Sequence, residues 1–202
     1  EPLITILARM EQRGIRIDIP YLKNLGSGME KEMMAIEAEI YRLAGRSFNV
    51  NSPKQLAQVL FEELKLVPTK RRKTHFSTDV DVLQQLSSRH PLPKELLRYR
   101  EIKKITSTYI EPLINLARQS RIHTTYNQTA TSTGRLSSSN PNIQNIPIRK
   151  DLGRKIRRGF IAEKGFRLIS ADYSQIQLRI LAHITRDKHL LQAFADRQRT
   201  RL

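Results

Sequence analysis

A stripe of apolar side chains at helical spacing limits the fold of this chain more than any other pattern in it. Apolar residues that recur every three or four positions line one face of an α-helix, and that face must be buried. Asp18 can cap the start of such a helix, and Gly45 can end it. The sequence therefore predicts a long helix that ends near Ala44, with a buried stripe formed by Leu22, Leu25, Met29, Met33, Ile36 and Ile40.

Further helices are predicted on both sides of this one. They cover residues 3–13, a segment starting at Ser52-Pro53, a segment starting at Thr78 with Asp81 as its capping-box partner, and Pro93 to about Glu111. Ser and Thr accept hydrogen bonds from the free N–H groups of a first helical turn, and Pro suits that turn. Pro112 should end or kink the last helix because it cannot donate a backbone hydrogen bond.

The pattern changes after residue 118. Residues 122–127 are rich in β-branched and aromatic side chains and predict a strand, and residues 166–171 predict a buried strand. Between them, residues 129–147 are rich in Ser, Thr, Asn, Gly and Pro, which indicates a long ordered loop. A loop of that length in a compact domain is usually functional. The expected caps of two final helices are Ser174 and Asp187.

Charge indicates a polyanionic partner. The chain has 36 Lys and Arg residues against 19 Asp and Glu residues, a formal net charge of +17. A domain this basic usually binds nucleic acid. An anionic membrane would instead favour one basic amphipathic helix with Trp or Phe on its apolar face. The chain has no Trp, and its basic residues are spread over residues 70–73, 149–167 and 197–201, so we expect nucleic acid and no membrane.

Composition also argues against several other classes of protein. No cysteine is present, so disulfides and thiolate metal sites are excluded. No apolar run approaches the roughly 18 residues that a membrane-spanning helix needs. The first residues lack a signal-peptide pattern, and the five histidines do not form a metal-ligand set. The composition fits a reducing compartment and argues against secretion.

The sharpest local feature is the segment from Ser170 to Arg179. Asp172 lies where the predicted buried strand ends and the next predicted helix begins. That arrangement would hold a carboxylate rigidly at the tip of a strand, where its oxygens could bind a hard cation. On the pattern alone, the interpretation of Asp172 as only a turn or cap residue stays open.

The segment resembles the first catalytic motif of family A DNA polymerases, the DNA polymerase I type, in Asp172-Tyr173-Ser174-Gln175-Ile176-Gln177-Leu178-Arg179. The loop of residues 129–147 resembles the family's signature segment. A Lys-Leu-Lys-Ser-Thr-Tyr stretch of the family's thumb is matched here by Lys104-Ile105-Thr106-Ser107-Thr108-Tyr109. The resemblance covers essentially the whole chain. It implies an α+β fold, with a mostly helical thumb over residues 1–118 and the N-terminal part of an antiparallel palm sheet with helices over residues 119–202.

The resemblance implies roles for residues of the predicted palm. Asp172 would be one of two carboxylates that hold a Mg²⁺ pair, and the Tyr173 carbonyl would add a ligand. The two metals would activate the primer 3′-hydroxyl and stabilise the pyrophosphate leaving group. Gln177 would lie beneath the sugar of the incoming nucleotide, and Arg149 would lie near its phosphates.

The resemblance also implies a DNA-binding surface. Arg135 would enter the minor groove at the primer end. Polar side chains near the junction would contact the backbone and the acceptors that all base pairs share in that groove; they are Asn140, Asn142, Gln144 and Asn145. Contacts to duplex phosphates would position the DNA without reading its sequence; they would come from Lys104, Ser107 and Thr108.

Three departures from the family pattern bear on function. Gln177 replaces a Glu, which keeps the bulk that rejects a ribose 2′-hydroxyl but changes the hydrogen bonding there. Thr106 replaces a thumb Lys, so one phosphate contact is expected to be lost. The family's later motifs bind the nucleotide triphosphate and supply the second catalytic Asp, and they lie outside these 202 residues. A single Asp cannot organise two metals.

Two functional hypotheses follow. In the first, the chain is a piece of a template-directed DNA polymerase, a Mg²⁺-dependent nucleotidyltransferase of DNA replication and repair. It would grip the primer–template duplex and be inactive alone, while the complete enzyme would also bind deoxynucleotide triphosphate. In the second, it is a non-catalytic, degenerate relative that binds DNA or RNA within a ribonucleoprotein assembly. The expected location is the bacterial cytoplasm with its nucleoid, or an organellar matrix.

Overall fold

The computed structural model describes residues 2–67, 76–148 and 150–199 of the chain. Most of these residues are helical, and with small antiparallel sheets they form an α+β fold, as predicted. The helices are α1 Pro2–Arg13, α2 Ile19–Ala44, α3 Pro53–Ala57, α4 Val80–Leu86, α5 Pro91–Ile105, α6 Glu111–Asn115, α7 Asp151–Arg158, α8 Ile176–Thr185 and α9 Lys188–Arg199. The strands are β1 Ile15–Arg16, β2 Arg121–Ile122, β3 Thr125–Asn127 and β4 Ser137–Ser139.

Helix α2 confirms the predicted long helix and both of its ends. The Asp18 carboxylate accepts a hydrogen bond of 2.9 Å from the Tyr21 N–H, a donor that the first helical turn leaves free. At the other end, Gly45 takes a left-handed conformation with φ of 75°. Residues with a β-carbon rarely adopt this conformation, whereas glycine adopts it readily. The predicted stripe is buried or partly buried against one core at Leu22, Leu25, Met29, Met33, Ile36 and Ile40.

Helix α5 starts earlier than predicted, at Pro91. The His90 ring caps its first turn by accepting a hydrogen bond of 3.2 Å from the Leu92 N–H. The helix then passes into a π-helical segment, Thr106–Ile110, and from there into α6. The hydrogen-bonding pattern therefore changes before the predicted break at Pro112. Pro112 itself lies in the first turn of α6.

One apolar core joins α2, α5, the π-helical segment and α6. Its largest fully buried side chains are Ile17, Leu22, Ile40, Leu56, Leu60, Leu83, Leu92, Leu96, Ile110, Leu113 and Ile122. Full burial of one such side chain contributes about 1.5–3 kcal/mol to the stability of the folded state. Ile146, which precedes α7, and Ile156, within α7, belong to the same core. The chain between these two residues is therefore anchored at both ends.

The predicted capping box at the start of α4 is wrong. Asp79, not Thr78, precedes the first turn, and its side chain makes no capping hydrogen bond. Thr78 is buried and accepts hydrogen bonds from the Arg100 guanidinium, through its carbonyl oxygen at 2.5 Å and its hydroxyl at 3.4 Å. A contact with α5, and not the local sequence, therefore determines the environment of Thr78.

The strand predicted over residues 122–127 is two short strands in different sheets. Strand β2 pairs with β1, with Ile122 opposite Ile15. Strand β3 pairs with β4 in a hairpin whose register places Tyr126 opposite Ser138. The loop predicted over residues 129–147 therefore contains a strand, which consists of serines and gives no apolar signal.

The chain divides into two compact units between Glu163 and Lys164. The boundary near residue 118, which separates the predicted thumb from the predicted palm, stays a prediction. Among the described residues, no helix combines the length and the apolar character that crossing a bilayer requires.

In the second unit, the buried strand predicted over residues 166–171 is wrong. The segment is not a strand, and its apolar side chains at Phe166, Leu168 and Ile169 are exposed, the last by 91%. A strand without neighbours leaves its backbone N–H and C=O groups unpaired. No strand in the described part of the chain pairs with this segment.

Of the caps predicted for the last two helices, only the second is found in the structure. Gln175, not Ser174, precedes α8, and it has a left-handed φ of 54° and no capping hydrogen bond. Before α9, the Asp187 carboxylate accepts a hydrogen bond of 2.8 Å from the Leu190 N–H, so the predicted cap at Asp187 is confirmed.

Replacing Leu96 with alanine should lower the free energy of unfolding by about 2–5 kcal/mol, because a fully buried side chain is removed and a cavity remains. Replacing Leu116, which is 45% exposed, should change it by about 0.5 kcal/mol or less. Urea unfolding followed by circular dichroism measures both values. Equal losses in the two variants would contradict the packing of Leu96 in the core.

Candidate nucleic-acid interface

A polar turn, residues 140–147, follows β4 and carries most of the predicted minor-groove contacts. Asn140 opens it in a left-handed conformation with φ of 56°, which Asn adopts more readily than most residues. The buried Thr124 hydroxyl contacts the carbonyl oxygens of Ser139 at 3.0 Å and Pro141 at 2.7 Å. The start of the polar turn is therefore tied to the chain just before β3.

The N–H groups of residues 143–145 in the polar turn are satisfied from within the protein. Ser138 of β4 is 3% exposed, and its hydroxyl accepts hydrogen bonds from the N–H groups of Ile143 at 3.1 Å and Gln144 at 3.3 Å. The same hydroxyl donates to the Asn142 side-chain oxygen at 3.3 Å. That oxygen also accepts from the N–H groups of Gln144 at 3.1 Å and Asn145 at 3.3 Å.

Two other elements hold the carbonyl groups at the end of the polar turn. The Tyr109 hydroxyl, on the π-helical segment, donates to the Asn145 carbonyl at 2.7 Å. The Arg157 guanidinium, on α7, donates to the carbonyls of Ile146 at 3.1 Å and Pro147 at 3.3 Å. The polar turn is therefore bonded to the strand before it and to a helical element on each of two other sides.

Helix α7 lies directly against the end of the polar turn. A β-carbon built on Gly153 would lie 2.3 Å from the Pro147 carbonyl oxygen, much closer than van der Waals contact allows. Only glycine therefore permits this approach of two backbones.

The structure brings the two predicted groups of DNA-binding residues into one compact unit. Lys104, Ser107 and Thr108 are exposed on α5 and the π-helical segment. The bond from Tyr109 links that segment to the polar turn. The predicted residues of the hairpin connection and the polar turn are also exposed or partly exposed: Arg135, Asn140, Asn142, Gln144 and Asn145.

A cavity of about 550 Å³ lies between α4, α5 and the residues Pro147, Ile148 and Lys150. Its lining is largely apolar and includes the charged residues Arg100, Glu101, Lys104 and Lys150. Lys150 forms an ion pair of 2.6 Å with Glu101. Burial lowers the pKa of Arg100, and the nearby Asp79 carboxylate opposes this effect.

Thr106 faces the core and not the surface that carries Lys104. Its side chain is 4% exposed. Its hydroxyl donates to the Ile102 carbonyl at 3.0 Å and lies 3.7 Å from the Met29 sulfur. Thr106 therefore packs the π-helical segment against α2. The sequence comparison predicted only the loss of a phosphate contact at this position and did not predict this role in the core.

Asp172, Tyr173 and Gln177 lie in the second compact unit, at the start of α8 or just before it. All three are exposed, Tyr173 by 80%. The predicted position of Asp172 at the tip of a strand is wrong, because residues 166–171, directly before it, do not form a strand. The described residues contain no group of three or more His, Cys, Asp or Glu side chains that could hold a metal ion. Arg149, predicted to lie near the nucleotide phosphates, and the basic residues 70–73 lie outside the described residues.

Tyr109, Ser138 and Arg157 organise the polar turn, although the sequence patterns had assigned no role to them. A buried Tyr needs a partner for its hydroxyl, so Tyr109 could have been singled out if its burial had been known. Ser138 is the middle residue of a serine run, and the alternation of a strand places it on the face opposite to its two neighbours. Arg157 has no local signal, because its partners are carbonyl groups of a distant segment.

Comparison with known proteins shows what the chain is similar to. The model of DNA polymerase family A matches residues 19–199. DNA polymerase I of Synechocystis sp. is 52% identical over 202 residues, which cover 98% of this chain and 20% of that protein. The thermostable DNA polymerase I of Thermus filiformis is 51% identical over 199 residues, which cover 96% of this chain and 24% of that protein. The chain thus spans less than a quarter of the length of these relatives.

A solved structure is similar as well. It is the POL domain of Pol1 from M. smegmatis in complex with DNA primer-template and dNTP, and it is 43% identical to this chain. The two superpose with a TM-score of 0.81 over 94% of this chain and 34% of that one. The likeness therefore extends through nearly all of the chain.

Replacing Gly153 with alanine should destabilise the protein by about 1–3 kcal/mol, because the new methyl group collides with the Pro147 carbonyl. The same replacement at Gly28, in α2, meets no atom within 4 Å. It should stabilise the protein by about 0.5–1 kcal/mol through the higher helix propensity of alanine. Urea unfolding measures both changes, and a Gly153 variant that is as stable as the original chain or more stable would show that α7 does not lie so close to the polar turn.

Proposed function

The chain belongs to DNA polymerase family A, and from that premise we propose that it grips primer–template DNA and supplies one metal-binding Asp in a template-directed DNA polymerase. The observation that carries the proposal is its likeness, over 94% of the chain, to a polymerase domain solved with DNA primer-template and dNTP. The proposed reaction is nucleotidyl transfer from a deoxynucleotide triphosphate to a primer, in DNA replication and repair. RNA binding as an alternative function receives no support from these comparisons.

The grip on the duplex is assigned to the exposed face of α5 and the π-helical segment. Lys104 supplies a mobile positive charge, and the hydroxyls of Ser107 and Thr108 can donate to phosphate oxygens. The Ser107 hydroxyl lies 2.9 Å from the Lys103 carbonyl, so donating to a phosphate would mean exchanging one acceptor for another. Contacts of this kind hold DNA of any sequence, as a polymerase requires.

Recognition near the primer end is assigned to Arg135 and the polar turn. The side-chain amides of Gln144 and Asn145 are accessible to solvent and can donate to the acceptors that every base pair presents in the minor groove. A correctly paired junction would place these acceptors at regular positions, and a mispair would displace them. The polar turn would therefore sense the shape of the duplex and not its sequence.

The metal-binding role is assigned to Asp172, with the Tyr173 carbonyl as a second oxygen ligand. Both lie in an exposed segment, and hard cations such as Mg²⁺ prefer oxygen ligands of this kind. When bound, the metal would supply activation of the primer hydroxyl and charge stabilisation at the leaving phosphate. One carboxylate does not complete a two-metal site, so these 202 residues are proposed to be inactive alone.

Selection of the nucleotide is assigned to Gln177 and Arg149. Gln177 has nearly the volume of Glu, so exclusion of a ribose 2′-hydroxyl by bulk can persist, while the amide replaces a charged acceptor with a donor and a neutral acceptor. Arg149 would lie near the phosphates of the incoming nucleotide. A protein with this function would work in the compartment that holds DNA, such as the bacterial cytoplasm.

The chain should bind duplex DNA with an affinity that falls steeply with salt, because each phosphate contact releases counterions. Replacing Lys104 with alanine should weaken binding and reduce the slope of log K against log salt by about 0.9, the value for one contact. Replacing Lys54, an exposed lysine of α3, should leave the slope unchanged. Fluorescence anisotropy with a labelled duplex measures both, and equal slopes for the two variants would contradict the assigned grip.

In the polymerase that carries this sequence, replacing Arg135 with alanine should slow primer extension more than it weakens duplex binding. The reason is that its proposed contact lies at the primer end and serves alignment more than affinity. Replacing Arg9, an exposed residue of α1, serves as the control and should affect neither. Single-turnover extension and anisotropy measure the two quantities, and equal losses in both would argue against a place at the primer end.

A further inference from the structure

We infer that Ser138 is a positioning residue, whose buried hydroxyl determines where Gln144 and Asn145 present their side chains to the duplex. The inference rests on the proposed function, since it concerns residues assigned there to DNA recognition. Ser138 itself is 3% exposed, so it cannot contact DNA without a rearrangement of β4. Any effect on DNA binding must therefore pass through the residues that it holds.

The bonding capacity of the Ser138 hydroxyl is fully used by the polar turn. A serine hydroxyl has one hydrogen to donate and two lone pairs that accept. The hydrogen goes to the Asn142 side-chain oxygen at 3.3 Å. The lone pairs accept from the N–H groups of Ile143 at 3.1 Å and Gln144 at 3.3 Å. Every partner of this hydroxyl lies within the polar turn.

The Asn142 oxygen forms a second layer of the same arrangement. It accepts from the Ser138 hydroxyl and from the N–H groups of Gln144 and Asn145. Asn142 therefore uses its acceptor inside the protein, and only its side-chain NH₂ group remains available to a ligand. Its two roles can be separated, because aspartate keeps the acceptor and lacks the donor.

The side chains of Gln144 and Asn145 depend on this backbone for their direction. Both are accessible to solvent, and in the described part of the chain no hydrogen bond engages either side-chain amide, only their backbone groups. An accessible side chain without a partner samples the rotamers that its backbone allows, so the position of the backbone determines the region that the side chain can reach. Fixing the N–H groups of residues 143–145 therefore fixes the starting geometry of both amides, and less ordering remains to be done on binding.

The hairpin gives Ser138 a stable position for this task. It lies opposite Tyr126 in the β3–β4 register, and the Tyr126 N–H is bonded to the Glu11 carboxylate at 2.6 Å. The neighbouring Ser139 serves a different purpose, since its hydroxyl accepts from the Asn127 side chain at 3.1 Å. Two adjacent serines therefore hold different segments, and Ser139 provides a matched control.

The first test measures hydrogen exchange of backbone amides in this 202-residue chain. In Ser138→Ala and Ser138→Cys, the Ile143 amide should exchange roughly tenfold faster or more, because it loses its partner and can open locally. Cysteine fills a similar volume but accepts weakly, so agreement of the two variants attributes the effect to hydrogen bonding. Ser139→Ala should leave the Ile143 amide unchanged. Unchanged exchange at Ile143 in both Ser138 variants would overturn the inference.

The second test is a double-mutant cycle on duplex binding. Ser138→Ala should weaken binding roughly tenfold, about the effect of one lost hydrogen bond of ordinary strength, with the salt slope unchanged because no phosphate contact is removed. In a background that carries Gln144→Ala and Asn145→Ala, the same replacement should have a much smaller effect, because Asn142 is then the one remaining contact residue of the polar turn that the Ser138 hydroxyl holds. An equal loss in both backgrounds would show a merely structural role and would overturn the inference.

The variant Asn142→Asp separates positioning from contact. It should keep the Gln144 and Asn145 amides protected, while duplex binding weakens because a donor is lost and a negative charge is added near phosphate. Loss of protection in this variant would contradict the assigned acceptor role of Asn142. If the unsubstituted chain does not bind duplex DNA, the proposed function fails and the inference fails with it. If it binds and the cycle is additive, only the inference fails.

Discussion

An irregular surface segment can hold side chains in fixed positions only if its own backbone groups are bonded within the protein. The polar turn meets this condition over residues 143–147. Ser138 and Asn142 satisfy the N–H groups of residues 143–145, and Tyr109 and Arg157 satisfy the carbonyls of residues 145–147. These bonds come from a strand, a π-helical segment and α7, and side chains of the core anchor the surrounding chain. Hydrogen bonds from elements that are anchored in the core therefore determine the geometry of the candidate interface.

The features that the sequence predicted well are those decided by neighbouring residues. The ends of α2 depend on Asp18 and Gly45, whose effects act within one helical turn. The buried stripe of α2 follows from spacing alone, since a helix places such residues on one face. The cap at Asp187 and the start of the helix at Pro53 are likewise decided by neighbouring residues. In each case the deciding interaction lies within about four residues of the signal.

Two features that the sequence did not predict depend on neighbours outside the local segment. Residues 166–171 have the composition of a buried strand, yet a strand requires a neighbour, and the described chain provides none beside this segment. Thr78 has the pattern of a helix cap, but the Arg100 guanidinium of α5 occupies both of its oxygens. Within the candidate site, resemblance to a family identified the accessible residues of the polar turn. It did not identify Ser138, because a buried hydroxyl with local backbone partners gives no chemical signature in the sequence.

The net charge of +17 indicated a nucleic-acid partner, but it does not measure the size of the interface. Arg100, Arg121 and Arg157 donate to backbone carbonyls of Thr78, of Arg13 and Gly14, and of Ile146 and Pro147. A planar guanidinium with several donors suits such contacts better than an ammonium group does. These arginines add to the basic composition while they hold loops together, whereas Lys104 is exposed on the helix face proposed to meet phosphate. A phosphate contact must therefore be assigned from the direction and the partners of each cation, and composition can only show that such contacts are to be sought.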